Sequence, residues 1–176
     1  RALQSLGEYR QIDWMEAGPR LESMLQKTCH VWDPSLVFMQ LQTPGIVSPA
    51  LGREMSQERI VVNWSGDVRE PMPQWYFELG REVDWTLVTN EDWVKRLRES
   101  GVNAGYLQIG FNQELFHPWD GIGVYEPIVF LGSHYGATFP LADLRVGMVR
   151  SLKKKFGEDF GVYGAGWPFQ TRKLDW

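Results

Sequence analysis

The chain has 176 residues, of which 43% are hydrophobic and 23% are charged, and these fractions exclude an intrinsically disordered protein. Its net charge of −4 excludes the broad basic surface of a general nucleic-acid binder. The single cysteine, Cys29, excludes an internal disulfide, and no apolar run reaches the roughly 18 residues that would span a membrane. We therefore expect a cytoplasmic protein without a membrane span.

Strand-like and helix-like segments alternate through the first two thirds of the chain. Short apolar runs, the inner ones typical of strands covered on both faces, predict strands at residues 9–14, 35–40, 59–64, 84–89 and 105–109. Apolar residues at helical spacing predict helices at residues 19–30, 48–57, 73–82 and 90–99. Asn90 is the expected N-cap of the last of these helices, and Gly101 stands where a C-cap glycine belongs.

A second strand–helix–strand unit follows a stretch of different character. Residues 112–126 have no period and contain turn formers, which predicts a linker. After it we predict a strand at 127–132, a long helix at 141–156 and a strand at 160–164. We expect a Rossmann-like domain at residues 1–118, with its first strand missing, and the start of a second such domain at 119–176.

This alternation indicates an α/β fold, built as a mostly parallel sheet with helices on both faces. In such sheets ligands bind beyond the carboxyl ends of the strands. The segments that follow the predicted strands are therefore where binding and catalytic residues are expected.

The end of the strand at 59–64 carries the first group of candidate residues. Asn63, Asp67 and Arg69 offer an amide, a carboxylate and a guanidinium there. The Asp67 carboxylate has the chemistry of a general base that accepts a proton from a hydroxyl group. The alternative is structural, with Asp67 capping a turn and Arg69 lying on the surface.

Two glycine-bearing strand ends form the second group of candidates. Residues 132–136 (Gly-Ser-His-Tyr-Gly) lie between a predicted strand and a helix, where backbone amides can hold phosphate oxygens. Residues 164–167 (Gly-Ala-Gly-Trp) repeat the arrangement one strand later, and the two loops would form the walls of a crevice. Residues 132–136 match neither the dinucleotide fingerprint nor the Walker lysine loop, and a tight structural turn is the alternative for them.

Other chemistry-bearing residues give weaker signals. No histidine pair has metal-ligand spacing, so no metal site is predicted, and only His134 is well placed for a ligand contact. The chain contains no nucleophile elbow of a hydrolase. The lysine run at 153–155 fits a solvated helix end, with a phosphate contact as the alternative.

The order of these segments resembles a known family. The runs that carry the resemblance lie at residues 31–40, 60–70, 83–102, 106–118, 127–136 and 144–168, among them VWDPSLVFMQ, IVVNWSGDVRE and PIVFLGSHYG. In this order they resemble the GT-B glycosyltransferases of the spore-maturation (CgeB-like) group. The resemblance covers nearly the whole chain, and the order of several weak motifs carries it.

The resemblance implies two facing Rossmann-like domains, the first for an acceptor and the second for a nucleotide-diphosphate sugar, with no essential metal or other cofactor. The residues that would face the donor diphosphate are Gly132, Ser133, Tyr135, Gly136 and Arg145. The neighbouring wall of the donor site would consist of Gly164, Gly166 and Trp167. On the acceptor side would lie Asn63, Asp67 and Arg69, with Asp67 as the catalytic base.

The expected activity is therefore transfer of a sugar to a glycan, a protein, a small molecule or a modified base. Members of the family have a strand before and further strand–helix units after the segments seen here, including an acidic motif for the donor ribose. We accordingly expect a fragment that lacks both usual ends and has little activity alone. The alternatives are a non-catalytic GT-B-like module that binds carbohydrate, nucleotide or protein, and a flavodoxin-like regulatory domain that binds no nucleotide.

Overall fold

The computed structural model describes residues 7–67, 69–110, 127–136, 141–169 and 171. The chain divides into two compact units, Arg1–His117 and Pro118–Trp176. The linker predicted at 112–126 lies outside the described residues. No helix in the described ranges is long and apolar enough to cross a membrane.

The first unit is a Rossmann-like alternation of strands and helices. A short helix α1 (Trp14–Ala17) and a 3-10 turn (Gly18–Arg20) lead into α2 (Leu21–Trp32). The elements that follow are β1 (Leu36–Met39), α3 (Pro49–Ser56), β2 (Ile60–Ser65), α4 (Trp75–Gly80), β3 (Trp85–Val88), α5 (Glu91–Glu99) and β4 (Ala104–Tyr106). The four strands pair in the order β1-β2-β3-β4 and are all parallel, which confirms the predicted parallel sheet.

Side-chain caps mark the starts of α3 and α5, and a glycine follows the end of α5. Ser48 Oγ accepts a hydrogen bond from the Leu51 amide at 3.2 Å before α3. Asn90 Oδ1 accepts one from the Trp93 amide at 2.9 Å before α5, as predicted. Gly101 follows α5 with a φ of +80°, a backbone conformation that glycine adopts without strain.

The strand predicted at residues 9–14 is wrong. Residues 8–13 form neither helix nor strand. The Asp13 carboxylate accepts a hydrogen bond from the Met15 amide at 2.8 Å and so caps α1, which begins at Trp14. Side-chain capping by an aspartate thus outweighs the apolar residues that suggested a strand.

Among the described residues, helices cover one face of the sheet of the first unit. On the covered face Met39, Val61 and Val88 are at most 6% exposed and pack against the helices. The opposite surface is here named the outer face, and it presents the partly exposed side chains of Leu36 (47%), Phe38 (38%), Ile60 (55%) and Trp85 (41%). In the described residues, helices therefore cover one face of this sheet, whereas the sequence had predicted helices on both faces.

The strand order explains this difference. Each connection in the order β1-β2-β3-β4 steps in the same direction across the sheet. Right-handed crossovers that step in one direction carry all of their helices to the same side. Helices reach both faces where the strand order reverses, and the four described strands contain no reversal.

The second unit is a single strand–helix–strand arrangement, as predicted. Its elements are β5 (Ile128–Leu131), α6 (Ala142–Phe156), a 3-10 turn (Gly157–Asp159) and β6 (Phe160–Tyr163). β5 and β6 pair in parallel, with Ile128 opposite Phe160. The buried core of the unit consists of Val149, Phe160, Val162 and Trp167.

Candidate functional site

The carboxyl end of β2 carries a buried amide. Asn63 is 1% exposed, and its Oδ1 accepts a hydrogen bond from the Leu41 amide at 3.2 Å. The Asn63 side chain thereby holds the segment that leaves β1 against the middle of the sheet. This contact accounts for a buried asparagine without any ligand, because it satisfies a buried polar group inside the unit.

Two positions after Asn63 along the same face of β2, a hydroxyl pair lies in the core. Ser65 Oγ and Tyr76 Oη are 2.7 Å apart, and both side chains are 1% exposed. Burial raises the pKa of Tyr76, whereas its hydrogen bond to Ser65 acts in the opposite direction. Sequence reasoning missed this pair, although a serine at a buried, apolar-periodic strand position signals a specific polar partner.

The turn after β2 is built on this hydroxyl pair. The Asp67 amide donates to Ser65 Oγ at 3.3 Å, and Thr89 Oγ1 donates to the Gly66 carbonyl oxygen at 3.3 Å. Farther along, the Glu70 carboxylate accepts from Arg96 Nη1 at 2.9 Å. The turn is therefore held at several points before any ligand binds.

Asp67 and Arg69 form an ion pair on this turn. Arg69 Nε and Nη2 lie 2.8 and 2.7 Å from the same oxygen, Asp67 Oδ2. The two side chains are 39% and 50% exposed, so the pair is in contact with solvent. This geometry directs both guanidinium contacts to Oδ2 and places the carboxylate at the carboxyl end of the sheet, where ligands of parallel α/β sheets bind.

In the second unit, the two glycine-bearing loops lie directly against each other. The Gly132 amide donates to the Tyr163 carbonyl at 2.9 Å, and the His134 amide donates to the Ala165 carbonyl at 2.8 Å. A Cβ atom on Gly164 would overlap the Gly132 carbonyl oxygen. The backbones therefore continue the parallel ladder past β5 and β6, and the crevice expected between the loops is absent in these residues.

Gly166 and Trp167 complete this close packing. A Cβ atom on Gly166 would overlap the His134 carbonyl oxygen. The Trp167 indole is 9% exposed, donates from Nε1 to the Gly132 carbonyl at 2.8 Å, and packs edge-on against the Phe130 ring. Trp167 is thus a core residue of this unit and not the wall of an open crevice.

The other predicted donor-site residues lie at the carboxyl end of β5, and they are Ser133, Tyr135, Gly136 and Arg145. Arg145 Nη1 donates to the Ser133 carbonyl at 3.0 Å, and the Arg145 guanidinium carbon lies 5.6 Å from the centre of the Tyr135 ring. Tyr135 is 64% exposed. Gly136 has a φ of +87°, and its amide donates to His134 Nδ1 at 3.3 Å.

The start of α6 lies in the same strand–helix connection. Its N-cap residue, Leu141, makes no side-chain hydrogen bond to the helix, and the amides of the first turn point out of the N-terminal end of α6. Such amides and a guanidinium are the groups that bind phosphate oxygens in proteins. Asp143 in the same turn carries a negative charge, opposite to that of the Arg145 guanidinium. Residues 137–140 of the connection lie outside the described ranges.

Within the described residues, no group of three or more histidine, cysteine, aspartate or glutamate side chains lies close enough together to hold a metal ion. Comparison of the chain with known protein families, curated proteins and solved structures finds no match. Function is therefore inferred from the geometry of the two strand ends.

Proposed function

We propose that this protein is a glycosyltransferase of the GT-B type that transfers a sugar from a nucleotide-diphosphate sugar to an acceptor. The observation that carries the proposal is the position of Arg145. Its guanidinium is fixed on the Ser133 carbonyl at the carboxyl end of β5, in the connection that leads into α6. This is where parallel α/β units bind ligands.

The chemistry of this connection fits a diphosphate. A guanidinium binds phosphate oxygens through charge-assisted hydrogen bonds, and helix-terminal amides add donors and a favourable dipole. These groups can neutralise a diphosphate without a metal ion. Tyr135, 64% exposed and next to Arg145, offers an aromatic ring for stacking on a base or a sugar.

On the first unit, we assign the role of general base to Asp67. Arg69 contacts Oδ2, so Oδ1 is the oxygen that accepts the proton of the acceptor hydroxyl. The hydrogen bond from the Asp67 amide to Ser65 fixes the backbone of the turn. A positioned base of this kind contributes roughly 100- to 10,000-fold to a rate.

The proposal is tested by the release of nucleoside diphosphate. The longest available form of the protein is incubated with UDP-, GDP-, ADP- and dTDP-hexoses and a panel of hydroxyl acceptors, and free diphosphate is measured. We expect acceptor-dependent release with one nucleotide, and a loss of about 100-fold or more in Asp67→Asn with unchanged nucleotide binding. Unchanged turnover in Asp67→Asn would remove its role as base. The absence of both diphosphate release and nucleotide binding with every donor would contradict the transferase.

A non-catalytic binding module is the second candidate. The observation that favours it is that Asp67 and Asn63 already have partners inside the unit, Arg69 and the Leu41 amide. Under this alternative nucleotide or carbohydrate binding is saturable in a titration, and the same assay shows no release of diphosphate with any acceptor.

A further inference from the structure

The edge of the four-stranded sheet at β4 exposes a defined row of backbone groups. β4 is last in the strand order, so among the described residues it has no neighbour on its outer side. The Asn103 carbonyl accepts from the Thr86 amide, and the Leu107 amide donates to the Val88 carbonyl. Because successive residues of a strand alternate in direction, Ala104 and Tyr106 point their N–H and C=O groups outwards.

An arginine of α5 occupies this outward row. Arg98 Nε donates to the Ala104 carbonyl oxygen at 2.8 Å, in a partly buried hydrogen bond. Arg98 lies in the last turn of α5, so the short connection through Gly101 brings its side chain back over the edge of the strand that follows. A free carbonyl in such a row is what an incoming strand would use for pairing.

We propose that Arg98 prevents the β4 edge from pairing with the same edge of a second copy of this chain. Two identical edges related by a two-fold axis pair in antiparallel fashion and join two sheets into one. β4 has only three residues, so losing the Ala104 acceptor removes a large part of its outward bonding capacity. Two Arg98 side chains would also bring like charges together at the centre of such an interface.

The test compares Arg98→Ala with Arg96→Ala by sedimentation velocity over a range of protein concentrations. Both variants lose one positive charge from α5, but Arg96 bonds to Glu70 and not to the sheet edge. We expect self-association about tenfold tighter than wild type in Arg98→Ala but not in Arg96→Ala, since one charge-assisted hydrogen bond is worth about that factor. Arg98→Met, which keeps the aliphatic stem, should behave in the same way.

Hydrogen exchange identifies the surface that associates. In Arg98→Ala, protection of the Tyr106 amide should rise with protein concentration, because this outward amide pairs only in the joined sheet. Adding Tyr106→Lys should reverse the association, since lysine on an edge strand opposes pairing. The proposal is overturned if Arg98→Ala sediments as wild type, if Arg96→Ala associates equally, or if the Tyr106 amide gains no protection.

Discussion

The hydroxyl oxygens of Tyr76 and Ser65 lie 2.7 Å apart inside the first unit, and this pair connects α4 to the carboxyl end of β2. Tyr76→Phe keeps the ring but leaves the buried Ser65 hydroxyl without this partner. We expect a loss of about 1–2 kcal/mol in the free energy of unfolding, measured by urea titration. Tyr106→Phe is the matched control: its hydroxyl bonds to Gln108 at the surface, so the change should stay within about 0.5 kcal/mol. Equal effects of the two variants would contradict the importance of the buried pair.

The same tyrosine makes stability depend on alkaline pH. Burial holds the pKa of Tyr76 above its ordinary value of 10.0. The unfolded chain therefore loses this proton first, so the contribution is fully present below pH 10.0 and is lost as the pH rises through the folded-state pKa. Urea titrations across this window should show a steeper decline for wild type than for Tyr76→Phe. Parallel curves would show that Tyr76 ionises equally easily in both states.

Glycine is required at position 164 for a steric reason. Gly164 has a φ of +130°, and a Cβ atom there would overlap the Gly132 carbonyl oxygen. Gly164→Ala should therefore destabilise the second unit by about 2–4 kcal/mol, observed as faster hydrogen exchange at β5 and β6. In contrast, a Cβ on Gly132 would be no closer than 3.4 Å to Phe130. Gly132→Ala should change stability by less than about 1 kcal/mol, and a reversed order would contradict the close packing of the two loops.

The outer face of the four-stranded sheet should limit solubility and not stability. Ile60 is 55% exposed there, whereas its neighbour Val61 is fully buried on the covered face. Ile60→Lys should reduce self-association in light scattering and change the free energy of unfolding by less than about 0.5 kcal/mol. Val61→Lys buries a charge without a partner and should cost about 3 kcal/mol or more. Similar costs for both variants would show that the outer face is covered.

The sequence predicted most of the individual elements because their signals are local. The cap at Asn90, the glycine at 101 and the apolar runs of β2 and β3 each depend on a few neighbouring residues. The placement of the helices on one face depends on strand order, which no short segment contains. Apolar residues on both faces of β1 and β2 indicated a sheet covered twice, yet Leu36 and Ile60 stay exposed among the described residues.

The candidate sites were predictable in position but not in detail. Asp67 and Arg69 lie at a strand end as expected, but their ion pair depends on how the turn after Ser65 folds. Gly164 and Gly166 looked like ligand-contacting glycines, and in the structure they allow two backbones to touch. Glycine at a strand end serves either purpose, and the partner backbone that decides between them lies more than thirty residues away in sequence.

Calorimetric titration is the sharpest test of a donor site at the start of α6. Nucleoside diphosphates, with and without their sugars, are titrated into wild type and three α6 variants. Arg145→Gln removes the guanidinium beside β5, Arg150→Gln removes an equal charge from the same helix, and Asp143→Asn removes the opposing charge of the first turn. We predict that Arg145→Gln weakens binding at least about tenfold, that Asp143→Asn tightens it about two- to fivefold, and that Arg150→Gln leaves it unchanged. Equal effects of Arg145→Gln and Arg150→Gln, or no nucleotide binding by wild type, would contradict a donor site at the start of α6.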